Sequence, residues 1–151
     1  MNTILIRRAK KNDGKTFLTL IDALADYEKL KRPTPAAKKR LLNHAFGKKK
    51  RFDAFLAFVN NVPVGYAIMF ETYSSFLAKP TLYLEDLFVL PDYRRFGIGK
   101  KFFALLFKEA RKRNCGRIEW MVLDWNKLAV NFYNKLGAKH MKEWWLYRMV
   151  M

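Results

Sequence analysis

Hydrophobic residues recur along the chain with two periods, and the switches between them predict an ordered series of strands and helices. Ile4 and Ile6 alternate with Leu5 and Arg7 in a short strand. Asp13 stands where a helix cap is needed, ahead of Phe17, Leu20, Ile21 and Leu24, which fall on one helical stripe. That helix is expected to end near residue 30, because Pro33 and Pro35 interrupt it. Thr34 and Pro35 then make an N-cap and first-turn pair for a second helix reaching about residue 46. Residues 52–59 read as a strand, 60–63 as a turn and 64–73 as the returning strand of an antiparallel hairpin. After a loop over 74–80, residues 81–90 are apolar on both faces, as in a central strand covered on both sides. A glycine-punctuated turn over 91–100 leads into a helix over 101–113 and a strand over 117–124. A helix over 126–136, stopped by Gly137, and an extended segment over 140–150 complete the pattern. The unit from 82 to 123 should be a right-handed parallel crossover. The predicted class is α/β with a mixed sheet, in a single domain covering 1–151.

Composition narrows this only slightly. At 151 residues the chain can bury one sizeable core, and 51% hydrophobic with 16% aromatic residues excludes disorder. No apolar run approaches the ~18 residues of a membrane span, so a soluble protein is expected, with no membrane partner. The N-terminus lacks a basic segment followed by a long apolar run, so no signal peptide is expected. A lone cysteine, Cys115, forbids an internal disulfide and leaves the cytoplasm as the default location.

Charge changes the picture more. Thirty Lys and Arg against 13 Asp and Glu give +17, enough to attract nucleic acid non-specifically. The excess is concentrated: there is no acid between Glu28 and Asp53, while Lys29, Lys31, Arg32, Lys38, Lys39, Arg40, Lys48, Lys49, Lys50 and Arg51 crowd that segment. The 48–51 run is either a solvated loop or an anionic contact. Acids gather instead at Asp22, Asp26 and Glu28, and at Glu85, Asp86, Glu119 and Asp124.

The most informative stretch is Pro91-Asp92-Tyr93-Arg94-Arg95-Phe96-Gly97-Ile98-Gly99-Lys100, between a predicted strand and a predicted helix. A helix start exposes backbone N–H groups the helix cannot use, and the helix dipole adds positive potential, so this turn is an anion site suited to a pyrophosphate. A dinucleotide fold would need a third glycine where Phe102 stands. A phosphate-loop nucleotidase would need Ser or Thr after Lys100, where Lys101 stands.

Arg94-x-x-Gly97-x-Gly99 resembles the acetyl-CoA pyrophosphate loop of the GNAT superfamily of N-acetyltransferases. Its surroundings strengthen the likeness: Tyr83-Leu84-Glu85-Asp86-Leu87-Phe88-Val89 before the loop, and Trp125-Asn126 with Asn131-Phe132-Tyr133-Asn134-Lys135-Leu136-Gly137-Ala138 after it. Within the superfamily the chain most resembles the spermidine/spermine (diamine) N-acetyltransferases and their thialysine-acetylating relatives, through Asp26-Tyr27-Glu28, Asp92-Tyr93-Arg94 and Trp145-Leu146-Tyr147. It departs from them in the more basic 31–51 segment and the short loop before Val64. The resemblance implies a mixed, mostly antiparallel sheet of about six to seven strands, helices on both faces and a splayed central strand pair. It also implies a homodimer with acetyl-CoA as co-substrate and no metal.

The chemistry sets a clear demand. With an amine pKa of ~10.4, about one molecule in ~2500 is neutral at pH 7, so deprotonation costs roughly 4.6 kcal/mol and the site must offer a proton acceptor. Glu85 is the candidate, read as sharing a strand face with Tyr83, Leu87 and Val89, where an unpaired carboxylate would be costly. The resemblance places it beside the substrate amine, acting through a water; the competing reading is a structural ion pair. Asp86 should point to the opposite face in a structural role. Tyr133 matches the family's usual general acid, which protonates the leaving thiolate. Asn126 matches the residue that approaches the pantetheine arm, and it can also cap the last helix. Leu87, Phe88 and Val89 would pair by backbone with pantetheine amides. The resemblance assigns Arg94, and Arg95, Phe96, Gly97, Ile98, Gly99 and Lys100 by backbone N–H, to the pyrophosphate; Lys135 either reaches another phosphate or faces solvent. Tyr27 and Glu28, with Glu85 and Glu119, would hold the substrate amine. His44, His140 and Cys115 lack metal-ligand or nucleophile spacing. The function expected is transfer of an acetyl group to a small polyamine or lysine-like amine. The alternatives are a protein or peptide N-acetyltransferase, and a nucleic-acid or ribosome-associated protein binding RNA through 29–51.

Overall fold

The structure, a computed structural model, describes all 151 residues, Met1–Met151. Its elements are β1 (Ile4–Arg8), α1 (Gly14–Tyr27), α2 (Pro35–Phe46), β2 (Asp53–Val59), β3 (Val62–Ser74), β4 (Lys79–Val89), α3 (Ile98–Lys112), β5 (Arg117–Trp120) and α4 (Lys127–Lys135). They fall into two units, Met1–Trp120 and Met121–Met151. No helix is long and apolar enough to cross a membrane.

In the first unit the strands form one sheet in the order β1-β2-β3-β4-β5, antiparallel except for the parallel β4–β5 pair. The β2–β3 hairpin turns on Asn60 and Asn61, both with positive φ (49° and 66°), as a two-residue turn matched to the strand twist requires. Pairing therefore begins at Val62 and not at Val64. The β3–β4 hairpin is likewise tighter than expected, because Ser74 pairs with Lys79 and only 75–78 are left to turn.

Alternation along the strands supplies two apolar faces. On one, Leu56, Tyr66, Ile68 and Phe88 pack with Phe17, Leu20 and Ile21 of α1 and Ala45 of α2. The Phe17 ring lies edge-on to Tyr66, with centroids 5.8 Å apart. α3 packs against β4 and β5 and buries Phe102, Phe103, Leu106 and Ala110. The Phe103 ring meets Trp120 of β5 edge-on at 5.0 Å.

Three local features depart from expectation. α1 closes at Tyr27, not near Leu30: Lys29 takes φ 58° and the Leu30 N–H reaches back to the Ala25 carbonyl (2.9 Å), so a left-handed cap stops the helix before the prolines are reached. Asp13 makes no side-chain cap bond to α1. Its carboxylate instead accepts from Arg7 (2.7 and 3.0 Å) and the Lys10 N–H (2.7 Å). The sheet has five strands, not six to seven. β5 ends at Trp120 because the chain turns at 123–127 into α4, with the Asn126 N–H on the Leu123 carbonyl (3.0 Å). Residues 140–150 form no strand; a turn sets the Trp144 N–H on the Met141 carbonyl (3.1 Å), and the segment that follows, apolar except for Arg148, does not alternate apolar with polar positions.

Asp53, at the start of β2, gathers Arg8 of β1, Lys50 (2.6 Å) and Arg113 at the end of α3 (2.8 Å). Burial alone would push its carboxyl up, but the hydrogen bonds from Lys50 and Arg113 more than offset this and hold it at about 2. A carboxyl lowered on folding stabilises the fold above its ordinary value of 3.8, and that contribution is lost as pH falls toward 2. Asp53→Asn should therefore cost roughly 2 kcal/mol at pH 7 and flatten the acid limb of the stability curve between pH 4 and 2. Urea unfolding of both proteins across that range checks this; parallel acid limbs would remove Asp53 as the cause.

Candidate active site

Register decides how β4 presents its acids. Ile68 pairs with Asp86 but Met69 pairs with Leu84, so Glu85 is an extra residue in β4, a β-bulge. The bulge reverses the expected faces. Tyr83 falls on the α1/α2 side, its ring 5.3 Å from Phe70, while Leu87, opposite Ala67, and Val89, opposite Gly65, point to the α3 side. Glu85 is exposed and does not share a face with Leu87 and Val89. Asp86 is not on the opposite face either: both carboxylates line one groove of about 570 Å³, with Ile21, Pro33, Leu41, Arg51, Phe52, Ile68 and Phe70.

Neither Glu85 nor Asp86 forms an ion pair within this groove. Tyr66, fully buried, donates its hydroxyl hydrogen to the Asp86 carboxylate (2.9 Å). Burial, reinforced by the charges of Glu85 and Glu28, raises Asp86 to about 6 despite that hydrogen bond. Tyr66 is itself pushed up, first by burial and then by Asp86. Glu28, half-buried at the end of α1, is raised by burial. The cations nearby are engaged elsewhere: Arg32 with Asp26, Lys38 with Asp22 (2.6 Å) and Lys50 with Asp53. The structure thus brings Glu28, Glu85 and Asp86 together. Glu119 pairs in register with Tyr83, whose phenol is raised by burial, then by Glu85 and Glu119. Its own carboxylate meets Arg117 at 2.9 Å.

A second region adjoins β4. β5 pairs only with Thr81 to Leu84, so within this unit it does not extend alongside Leu87–Val89, and the central pair splays. The Leu90 N–H bonds the Val64 carbonyl on β3. In an antiparallel ladder alternate residues direct both polar groups to the same side, so Phe88 also faces β3 while Leu87 and Val89 present theirs to the splayed edge. Phe88 therefore contributes its buried ring, not its backbone, to this edge.

Arg94 lies across the junction of the two regions. Its Nε donates to the Val89 carbonyl (3.0 Å), and its guanidinium stacks 4.4 Å from the Tyr27 ring and 5.8 Å from Phe88. Arg94 thereby ties Tyr27 to the end of β4. Beyond it Gly97 takes φ 80° as the N-cap of α3, a conformation that favours glycine, and no side chain caps the helix. The first intrahelical bond is Lys101 N–H to Gly97 O (3.1 Å), leaving the N–H groups of Ile98, Gly99 and Lys100 for an anion. Ile98 is buried and serves only through its backbone, while Arg95, Phe96 and Lys100 are exposed. The arrangement suits a pyrophosphate at the α3 N-terminus and an amide-bearing arm along the splayed edge.

The second unit carries the remaining residues. Asn126 caps α4, its side chain accepting from the Ala129 N–H (3.3 Å). Tyr133 and Lys135 lie in the last turns of α4, and Gly137 takes φ 83° just beyond it. The Tyr133 ring is 5.6 Å from that of Phe132.

Residues 17–138 match the acetyltransferase (GNAT) family, and the chain belongs to that family of enzymes. It is 35% identical over 151 residues to a thialysine N-epsilon-acetyltransferase of Sus scrofa, covering 95% of this chain and 88% of that protein. It is 47% identical over 92 residues to an L-ornithine N5-acetyltransferase of Arabidopsis thaliana, covering 60% and 40% of the two chains. Among solved structures, an aminoglycoside N-acetyltransferase in complex with CoA superposes with a TM-score of 0.81 at 19% identity, covering 99% of this chain and 96% of that one. The protein is thus an acetyltransferase of this family.

Sequence reasoning missed Asp86, Tyr66 and Arg51 as members of the groove. The adjacent acids were visible; the bulge that turns both to one side is a property of pairing between strands. Asp86 gives a direct test. Its carboxyl is raised on folding, so between about pH 4 and 6 the folded chain keeps a proton the unfolded chain has lost, and stability falls as pH rises through that window. Asp86→Asn, which keeps an acceptor for Tyr66, should remove that slope and raise stability above pH 6 by roughly 2 to 3 kcal/mol. Thermal or urea unfolding between pH 4 and 8 measures it, and an unchanged slope would overturn the assignment.

Proposed function

We propose that this enzyme transfers the acetyl group of acetyl-CoA directly to the primary amine of a small polyamine or lysine-like substrate. The observation that carries the reading is the bulged β4: one strand turns two carboxylates into a groove and, just beyond them, directs the Leu87 backbone and the Val89 N–H to an edge that β5 does not pair. Acetyl-CoA, when bound, supplies the acetyl group on a thioester. The thialysine and ornithine specificities of the relatives support an amine with a flexible aliphatic arm.

The residues divide the work by position. Ile98, Gly99 and Lys100 hold the pyrophosphate through their N–H groups, with Arg95, Phe96 and Gly97 shaping the turn. Leu87 and Val89 pair with the pantetheine arm, Asn126 approaches it, and Lys135 reaches a phosphate. Arg94 keeps Val89 and Tyr27 in place, so that the cofactor edge and the substrate groove stay in register. Glu28 and Tyr27, with Glu119, hold the cationic substrate. Glu85 receives the ammonium proton through a water, and the neighbouring Asp86 keeps the site electronegative. Tyr133 donates its phenolic proton to the departing thiolate. The same reading includes both units in one catalytic domain, since the family match runs across their boundary. It also includes a homodimer, as the similarity to spermidine/spermine enzymes implies, and a cytoplasmic location, the default for a chain with a lone cysteine.

Three measurements test it. Acetyl transfer assayed across polyamines, basic amino acids and peptides should give turnover on a small amine; turnover on peptides alone would transfer the assignment to a protein acceptor. Tyr133→Phe should lower kcat roughly a hundredfold with little change in acetyl-CoA affinity, and unchanged kcat would remove it as the acid. Glu85→Gln should displace the ascending limb of the pH–rate profile, an outcome that an identical profile would exclude.

A further inference from the structure

Arg51 has no place in the chemistry above, yet its side chain lines the same groove as Glu85 and Asp86. It is the last residue of the basic run 48–51, and its position is fixed locally: its N–H bonds the His44 carbonyl at the end of α2 (2.8 Å), and Phe52 beside it packs against Phe17 (6.4 Å between centroids). Its neighbour Lys50 is drawn away to Asp53 at 2.6 Å, while Arg51 forms none of the ion pairs that engage Arg32, Lys38 and Lys50. The groove is therefore bipolar, with two carboxylates on β4 and a guanidinium ahead of β2. β3 lies between β2 and β4, so the backbones that carry these charges stand about two strand spacings apart, roughly 10 Å. Phe52, Ile68 and Phe70 line the groove with them.

A groove with negative charge at one end, positive charge at the other and apolar walls between them matches a ligand of the opposite polarity joined by an aliphatic arm. We propose that Arg51 is a specificity-determining residue that binds the α-carboxylate of a basic amino acid while Glu85 and Asp86 face its side-chain amine. The enzyme then prefers ornithine- or lysine-like amino acids to the diamines that lack the carboxylate. A diamine would set a second ammonium group against Arg51, whereas a carboxylate pairs with the planar guanidinium through two hydrogen bonds. This inference rests on the acetyltransferase reading of the same groove.

Matched substrates isolate the carboxylate: ornithine against putrescine, and lysine against cadaverine. The wild-type enzyme should show a higher kcat/KM for the amino acid of each pair. In Arg51→Gln the amino-acid to diamine ratio should fall by about 10- to 100-fold, the scale of a lost charge-assisted contact. Arg51→Lys, which keeps the charge but not the fork, should fall between the two. Thermal unfolding and the KM for acetyl-CoA, measured on each variant, identify any ratio change that comes from a damaged fold. A wild-type preference for diamines, or a ratio unchanged in Arg51→Gln, would overturn the role of Arg51 while leaving the acetyltransferase reading in place. No acetylation of any of the four amines would overturn both.

Discussion

The antiparallel pairing of β3 with β4, interrupted by one extra residue at Glu85, is the constraint on which the rest of the site depends. A strand of strict alternation would send Glu85 and Asp86 to opposite faces, one toward α1 and α2 and the other toward α3. The bulge resolves this by giving both carboxylates to the groove while Leu82 and Leu84 stay buried. It also resets the face of everything that follows, so Phe88 enters the α1/α2 core and Leu87 and Val89 turn the other way.

Concentrating acids has an electrostatic cost that the fold does not neutralise. Asp86 keeps a hydrogen bond from Tyr66 but no cation, and its carboxyl stands at about 6. Elsewhere carboxylates are paired tightly, as Asp53 is with Arg113 and Asp22 with Lys38. The contrast is one of direction: cations hold Asp53 low, whereas burial raises Asp86 and Glu28 around the groove in which we place a cationic substrate. It also reinterprets the surplus of positive charge in 29–51. Part of it secures α1, α2 and β2 to one another, and Arg51 lines the groove at its exposed rim.

The two regions proposed for cofactor and acceptor are linked by one side chain. Arg94, from the glycine turn, touches Tyr27, Phe88 and the Val89 carbonyl at once. The guanidinium is suited to this because its face stacks on aromatic rings while its edge donates hydrogen bonds. Movement of the glycine turn would therefore be felt at Tyr27, at the end of α1.

Local chemistry was sufficient to read much of this from the sequence. The glycine turn, Asn126 as a helix cap, Thr34 before Pro35 (its side chain accepting from the Ala37 N–H at 3.2 Å) and the apolar stripes of α1 and α3 are each set by neighbours a few residues away. The family likeness rests on the same short patterns. What the sequence could not determine lies between segments distant in the chain. The register slip that unites Glu85 with Asp86, the placing of Arg51 beside the groove they line and the recruitment of Asp53 by Arg8 and Arg113 all depend on which element lies beside which. So does the end of β5 at Trp120, since an apolar run becomes a strand only where a partner edge accepts its hydrogen bonds. Sequence period fixes which residues seek burial; tertiary pairing decides which face they reach and which charges they meet there.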